Sequence, residues 1–96
     1  LKYLELRQML YKLFSATHRC MPCRMLVHML NTDFPSWKEY IEYIDVDNMT
    51  EEQKEILLRL KILRIPTLTN EKEIIKINSN PSLAVTQIKK LCLIKE

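Results

Sequence analysis

The chain is predicted to fold as an α/β domain, a four-stranded mixed sheet flanked by three helices. Three observations predict it. Short apolar runs of strand length alternate with stretches whose apolar residues recur at helical spacing, the pattern of strands joined through helices. The last two strand-like runs are separated only by a hairpin-length connection, which makes those neighbours antiparallel. The 96 residues, 47% hydrophobic and 28% charged, suffice for one small self-sufficient core and are far from the composition of a disordered chain.

The elements follow in order. Residues 1–8 mix Leu1, Leu4 and Leu6 with Lys2, Glu5 and Arg7 without a sustained period. They are expected to be an N-terminal extension ahead of a single domain over 9–96. Leu10 to Phe14 has the length and apolarity of a buried strand, and Ser15 to Arg19 leads from it as a loop into Cys20-Met21-Pro22-Cys23. From Met21 the spacing is helical, with Cys23, Leu26, Val27 and Leu30 on one apolar face. Pro22 falls in the first turn, where its missing N–H is not needed, and Asn31-Thr32-Asp33 with Pro35 end the helix.

Ile41 to Val46 is β-branched, aromatic and partly alternating, hence a strand, and Asp47-Asn48 breaks it. Thr50-Glu51-Glu52-Gln53 is a capping box that starts a second helix, whose buried stripe is expected to be Ile56, Leu57, Leu60 and Leu63. Thr67 to Thr69 and Ile74 to Ile77 read as short strands on either side of Asn70 to Glu73. Asn78-Ser79-Asn80 and Pro81 then open a last helix, with Leu83, Val85, Ile88, Leu91 and Cys92 mostly toward the core.

Composition excludes several classes of function. The net charge of +3 comes from 15 basic and 12 acidic residues with the signs interspersed, so no basic run suggests nucleic-acid or membrane binding. The longest nearly uncharged apolar stretch, Met25 to Leu30, falls far short of the roughly 20 residues of a membrane span. No secretory signal pattern is visible, and a soluble, cytoplasmic, monomeric protein is expected. Glycine is absent altogether, which removes glycine-rich nucleotide loops from consideration.

What remains is the cysteine chemistry. Of three cysteines, two form the C-x-x-C pair Cys20 and Cys23, a spacing that passes between dithiol and disulfide with little backbone movement. A structural zinc site would need four ligands, and Cys92, His18 and His28 are poorly spaced to complete one, so no metal is expected. Asp45 and Asp47 are read as turn residues. The nucleophile in disulfide exchange is the thiolate, and three features favour it at Cys20: the positive end of the helix, the exposed amides there, and Arg19 and Arg24 beside it. His18 adds charge if protonated. The Cys20 pKa is therefore expected below the free-thiol value of ~8.5. Met21, Met25 and Met29 recur at helical spacing, as packing residues do, and of the three Met21 is expected to face the site.

Cys20-Met21-Pro22-Cys23 at the start of the first helix, together with Arg64-Ile65-Pro66-Thr67 before the third strand, resembles the thioredoxin and glutaredoxin superfamily in its small, glutaredoxin-sized form. The resemblance spans about Leu10 to the C-terminus. It implies that Cys20 attacks a substrate disulfide, that Cys23 resolves the mixed disulfide, and that Pro66 is cis and lies against the dithiol. It also implies that Arg19, Met21, Pro22, Arg64, Ile65 and Pro66 meet the substrate, with the Ile65 backbone pairing to an extended segment. The activity implied is thiol-disulfide oxidoreduction of protein disulfides, ribonucleotide reductase among the conceivable clients, with no cofactor beyond the Cys20–Cys23 disulfide itself. A thioredoxin-reductase-type enzyme or a small thiol would restore the dithiol.

The pattern also departs from the family. Arg19 stands where thioredoxins have Trp, Met21 where they have Gly, and Phe14 where they have a buried acid. Asn78-Ser79-Asn80 replaces the Gly-Gly of glutathione-binding glutaredoxins. The alternatives are a glutathione-dependent glutaredoxin and a non-enzymatic thioredoxin-fold binding module.

Overall fold

The computed structural model describes residues 11–70 and 72–93; the expected extension 1–8, and Leu10, lie outside them. The order is β1 (Tyr11–Ser15), α1 (Met21–Asp33), a 3₁₀ turn (Trp37–Glu39), β2 (Ile41–Asp45), α2 (Glu51–Arg59), β3 (Thr67–Thr69), β4 (Ile74–Ile75) and α3 (Pro81–Leu93). The four strands form one mixed sheet in the order β2-β1-β3-β4. β1 runs parallel to β2 and antiparallel to β3, and β3 is antiparallel to β4. This is the α/β layout expected from the alternation of elements, and it coincides with a minimal thioredoxin-like arrangement.

β1 is central and covered on both faces, which explains its continuous apolar run. Leu13 packs into a core with Leu26 and Leu30 of α1 and Ala84, Val85 and Ile88 of α3. Its neighbour Phe14 points to the opposite face, where Ile44, Ile56 and Ile62 form a second core under α2. Phe14 is fully buried and sits in register with Ile44 on one side and Thr67 on the other. Trp37 closes the larger core, its indole N–H donating to Asn31 Oδ1 at 2.8 Å.

Several boundaries differ from expectation. Ser15 is the last residue of β1 rather than the start of a loop, because Val46 N–H donates to its carbonyl at 3.0 Å and holds it against the end of β2. β4 is only Ile74–Ile75, so Lys76 and Ile77 continue without strand pairing. Asn31, Thr32 and Asp33 end α1 as expected, forming its last residues, and Phe34 N–H closes the helix on Leu30 C=O at 2.8 Å.

The expected stripe of α2 fails at Leu63, which is 92% exposed, while Ile62 is buried. The backbone explains it. After Arg59 the helix closes with Lys61 N–H donating to Leu58 C=O at 3.1 Å and Ile62 N–H to Leu57 C=O at 3.0 Å, a Schellman closure. Lys61 takes the left-handed position of that closure, with φ of 55°. The reversal rotates Ile62 into the core beside Leu57 and throws Leu63 outward. In α3, Leu83 and Leu91 are likewise exposed, because the buried stripe runs through Ala84, Val85 and Ile88. Asn80 caps this helix, its Oδ1 accepting from Ser82 N–H at 2.9 Å and Leu83 N–H at 3.4 Å.

Candidate active site

Cys20 is the N-cap of α1. Its backbone is extended, with φ of −123° and ψ of 107°, while its carbonyl already accepts the first helical bond from Arg24 N–H at 3.0 Å. The Cys20 sulfur occupies the position that Ser or Asp oxygen takes in ordinary caps, accepting from Cys23 N–H at 3.2 Å. Donors of this kind favour the anionic form of a reduced sulfur, as does the positive end of the helix. Cys23, one turn further on, is fully buried, and Cys20 is half-buried. The two are joined as a disulfide across a Cα separation of 5.2 Å.

Across from the pair, the Ile65–Pro66 peptide bond is cis, as the resemblance implied. The loop that carries it brings the Ile65 carbonyl oxygen to 3.9 Å from the Cys20 sulfur. Thr67 Oγ1 donates to Arg64 C=O within the same loop and ties it to the start of β3. Elements distant in sequence, the N-terminus of α1 and the approach to β3, thus meet at one sulfur.

Two grooves flank this junction. The larger, of about 540 Å³, runs between Met21 and Met25 of α1, the Ile65–Pro66 loop, and Ile77 and Pro81 before and within α3. Met21 and Met25 are 57% and 49% exposed on its wall. The smaller, of about 260 Å³, lies on the other side of the loop between Arg19 and Leu57, Ile62 and Leu63. Arg64 and Ile65 line both grooves, so the loop is the ridge between them. Asn78 and Ser79 also line the larger groove.

Of the residues expected to meet a substrate, Met21, Pro22, Arg64, Ile65 and Pro66 are brought together here, and Arg19 lies at the far groove. Met25, expected as a packing residue, instead lines the larger groove half exposed; its place one helical turn after Met21 was the signal for it. Ile77 and Pro81 were legible only as strand end and helix start, since nothing local says that the last helix begins beside the first.

The arginines next to the dithiol have other partners. Arg19 grips the Asp47 carboxylate with a two-pronged contact, Nε to Oδ2 at 2.6 Å and a terminal nitrogen to Oδ1 at 2.9 Å. His18 Nε2 lies 2.7 Å from the same Oδ2. The hydrogen bond and charge of Arg19 hold the Asp47 carboxyl below the usual carboxylate range, and Asp47 in turn raises Arg19. Arg24 Nε donates to Thr17 C=O at 3.1 Å. Asp45 serves the turn, as expected, with its Oδ1 accepting from Asp47 N–H at 2.9 Å. Ligand atoms of His18, Asp45 and Asp47 come within 4.8 Å of one another, but both Asp47 oxygens are engaged by Arg19. That leaves the cluster ill suited to a cation.

The third cysteine stands apart. Cys92 is half-buried in α3 against the larger core, and burial pushes its thiol up to about 11. It is a packing residue rather than a nucleophile at neutral pH. No described helix is long and apolar enough to cross a membrane. Comparison with models of known protein families, with curated proteins and with solved structures yields no match to this chain.

Proposed function

We propose that this protein is a thiol-disulfide oxidoreductase of the thioredoxin and glutaredoxin type that reduces disulfides in protein or peptide partners. The observation that carries the reading is the pairing of a half-buried Cys20, capping α1 and facing the Ile65 carbonyl, with a fully buried Cys23 one turn behind it. That arrangement suits an attacker and a resolver with unequal access.

In the reducing direction, the Cys20 thiolate attacks one sulfur of a partner disulfide. A Cys20–partner S–S bond forms, the partner's own S–S bond breaks, and the departing thiolate takes a proton from solvent. Cys23 then gives up its proton and attacks Cys20 sulfur, which releases the second partner thiol and leaves the Cys20–Cys23 disulfide. Two electrons pass from the protein to the partner, and of the two protons on the released partner thiols one is balanced by Cys23 and the other comes from solvent. An external thiol reductant, a small thiol or a thioredoxin-reductase-type enzyme, restores the dithiol. The fold holds a peptide-sized groove, lined largely by apolar side chains, beside Met21 and the Ile65–Pro66 loop, next to the attacking sulfur in the chain and across from it, which fits an extended segment better than glutathione, given the side chains of Asn78 and Ser79 on its wall. A monomer in the cytoplasm, with clients of which ribonucleotide reductase is one conceivable example, completes the reading.

Reduction of insulin disulfides driven by dithiothreitol tests it. The protein should accelerate the reaction, and Cys20→Ser should abolish the acceleration. A rate no greater than that of dithiothreitol alone would leave a thioredoxin-fold binding module as the better reading, and activity confined to glutathione mixed disulfides would point to a glutaredoxin.

A further inference from the structure

We propose that Asp47 is a positioning residue that sets the reactivity of Cys20 by engaging the charge of Arg19, the residue immediately before it. This rests on the reading of Cys20 as the attacking sulfur.

The turn that delivers Cys20 is closed by the Ala16 carbonyl, which accepts from Arg19 N–H at 3.1 Å and from Cys20 N–H at 2.9 Å. Arg19 and Cys20 therefore leave one tight turn side by side. The guanidinium does not stand free beside the sulfur; it is bound to both oxygens of Asp47, a residue 28 positions away that follows β2. His18, also in the turn, shares Oδ2 with Arg19. One carboxylate thus balances the two loop side chains able to carry positive charge next to the nucleophile. Asp47 is itself held in place, since its N–H donates to Asp45 Oδ1 and Val46 N–H donates to Ser15 C=O.

The other charged groups around the site do not duplicate this role. Arg24 is committed to the Thr17 carbonyl on the opposite side of the same turn. Arg64 stands on the ridge between the grooves, on the approach to β3. The carboxylate of Asp45 is the remaining anion in the cluster and accepts from the Asp47 backbone. Charges on neighbouring residues act on a thiolate by Coulomb interaction, weakened but not abolished by solvent. With Asp47 present, Arg19 contributes a nearly neutral pair. Without it, Arg19 contributes a full positive charge and favours the Cys20 thiolate and the reduced protein.

The test is a charge cycle read at Cys20. Iodoacetamide alkylation of the reduced protein, followed at the Cys20 peptide by mass, gives the pH midpoint for wild type, Asp47→Asn, Arg19→Gln and the double variant. Asp47→Asn should raise the thiolate population below the midpoint about threefold. It should also shift the equilibrium with a glutathione buffer about threefold toward the dithiol. Asp47→Glu should restore the wild-type midpoint, and the Asp47→Asn effect should be clearly smaller when Arg19 is Gln, where no guanidinium is released and only the charge of the carboxylate itself is removed. Asp47→Ser repeats the charge removal with a different side chain and guards against a folding defect peculiar to Asn. An unmoved midpoint in both charge-removing variants, or a shift just as large in the Arg19→Gln background, overturns the proposal. The midpoint is read whether or not insulin is reduced. Turnover with an unmoved midpoint therefore defeats this inference alone, and a moved midpoint without turnover defeats the oxidoreductase reading alone.

Discussion

The sulfur of Cys20 lies 3.9 Å from the carbonyl oxygen of Ile65, a residue 45 positions later in the chain. The contact places the sulfur proposed to attack against the loop that forms the ridge between the two grooves. The proposed division of labour adds the unequal access of the two cysteines, Cys20 half-buried and Cys23 fully buried.

Cys20, once reduced, should titrate below the ~8.5 of a free thiol, because the Cys23 amide and the helix end both favour its anion. Alkylation rate against pH reads the midpoint, and a value at or above that of the free thiol would refute the assignment. Cys23→Ser should accumulate mixed disulfides with partners, visible as higher-mass bands on non-reducing gels that thiol treatment removes. Cys20→Ser should accumulate none.

Met25, half exposed on the wall of the larger groove, should contribute to partner affinity rather than to the exchange step. Met25→Asp should raise KM for a peptide disulfide with apolar flanks about fivefold, the equivalent of ~1 kcal/mol of lost apolar contact, with kcat little changed. Met25→Leu should behave as wild type. An unchanged KM for the Asp variant would move the docking surface elsewhere.

The two ends of α2 make opposite predictions for stability. Thr50 Oγ1 accepts from Gln53 N–H at 3.2 Å while Gln53 Oε1 accepts from Thr50 N–H at 2.9 Å, so Thr50→Ala should cost about 1 kcal/mol in urea denaturation. At the other end Lys61 bears a left-handed φ of 55° in a chain without glycine. Lys61→Gly should stabilise the fold by about 1 kcal/mol, since glycine adopts that conformation without the Cβ penalty.

Cys92 should remain unmodified by iodoacetamide at pH 8 while Cys20 reacts, because a thiol raised to about 11 carries almost no thiolate there. Cys92→Ala should leave insulin reduction unchanged. Loss of activity in that variant without loss of folded protein would give the third cysteine a role that its packing does not suggest.

The Asp47 carboxyl, held down first by the hydrogen bond from Arg19, should titrate below the ~3.9 of an unperturbed aspartate. A lowered acid favours the fold above its unfolded value, and that contribution disappears as pH falls through the lowered folded value. The Arg19 clamp is therefore complete throughout the neutral range. Carbon-detected NMR of the Asp47 carboxyl should show this, and in Arg19→Gln the midpoint should move back up toward the ordinary value.

Sequence by itself determined what depends on neighbours along the chain. The capping box of Thr50 and Gln53, the Pro81 helix start, the apolar runs of β1 and β2 and the C-x-x-C at a helix N-terminus are all short-range patterns, and the fold class follows from their order. Leu63 was misplaced because a helical stripe was extended through a helix end that carries no glycine to announce it; a lysine took the left-handed position instead. Leu83 and Leu91 were misplaced because leucine outweighs alanine in any apolar count, whereas the close approach of α3 to α1 favours the small Ala84. Only the tertiary structure decided where the charges around Cys20 go. Arg19 and Arg24 are adjacent to the dithiol in sequence, yet one is tied to a carboxylate after β2 and the other to a carbonyl in the preceding turn. Sequence proximity places a charge near a sulfur, but the folded partner determines how much of that charge the sulfur feels. The larger groove has the same origin, since its walls come from α1, the approach to β3 and the start of α3, which meet only through the sheet and the core shared by α1 and α3.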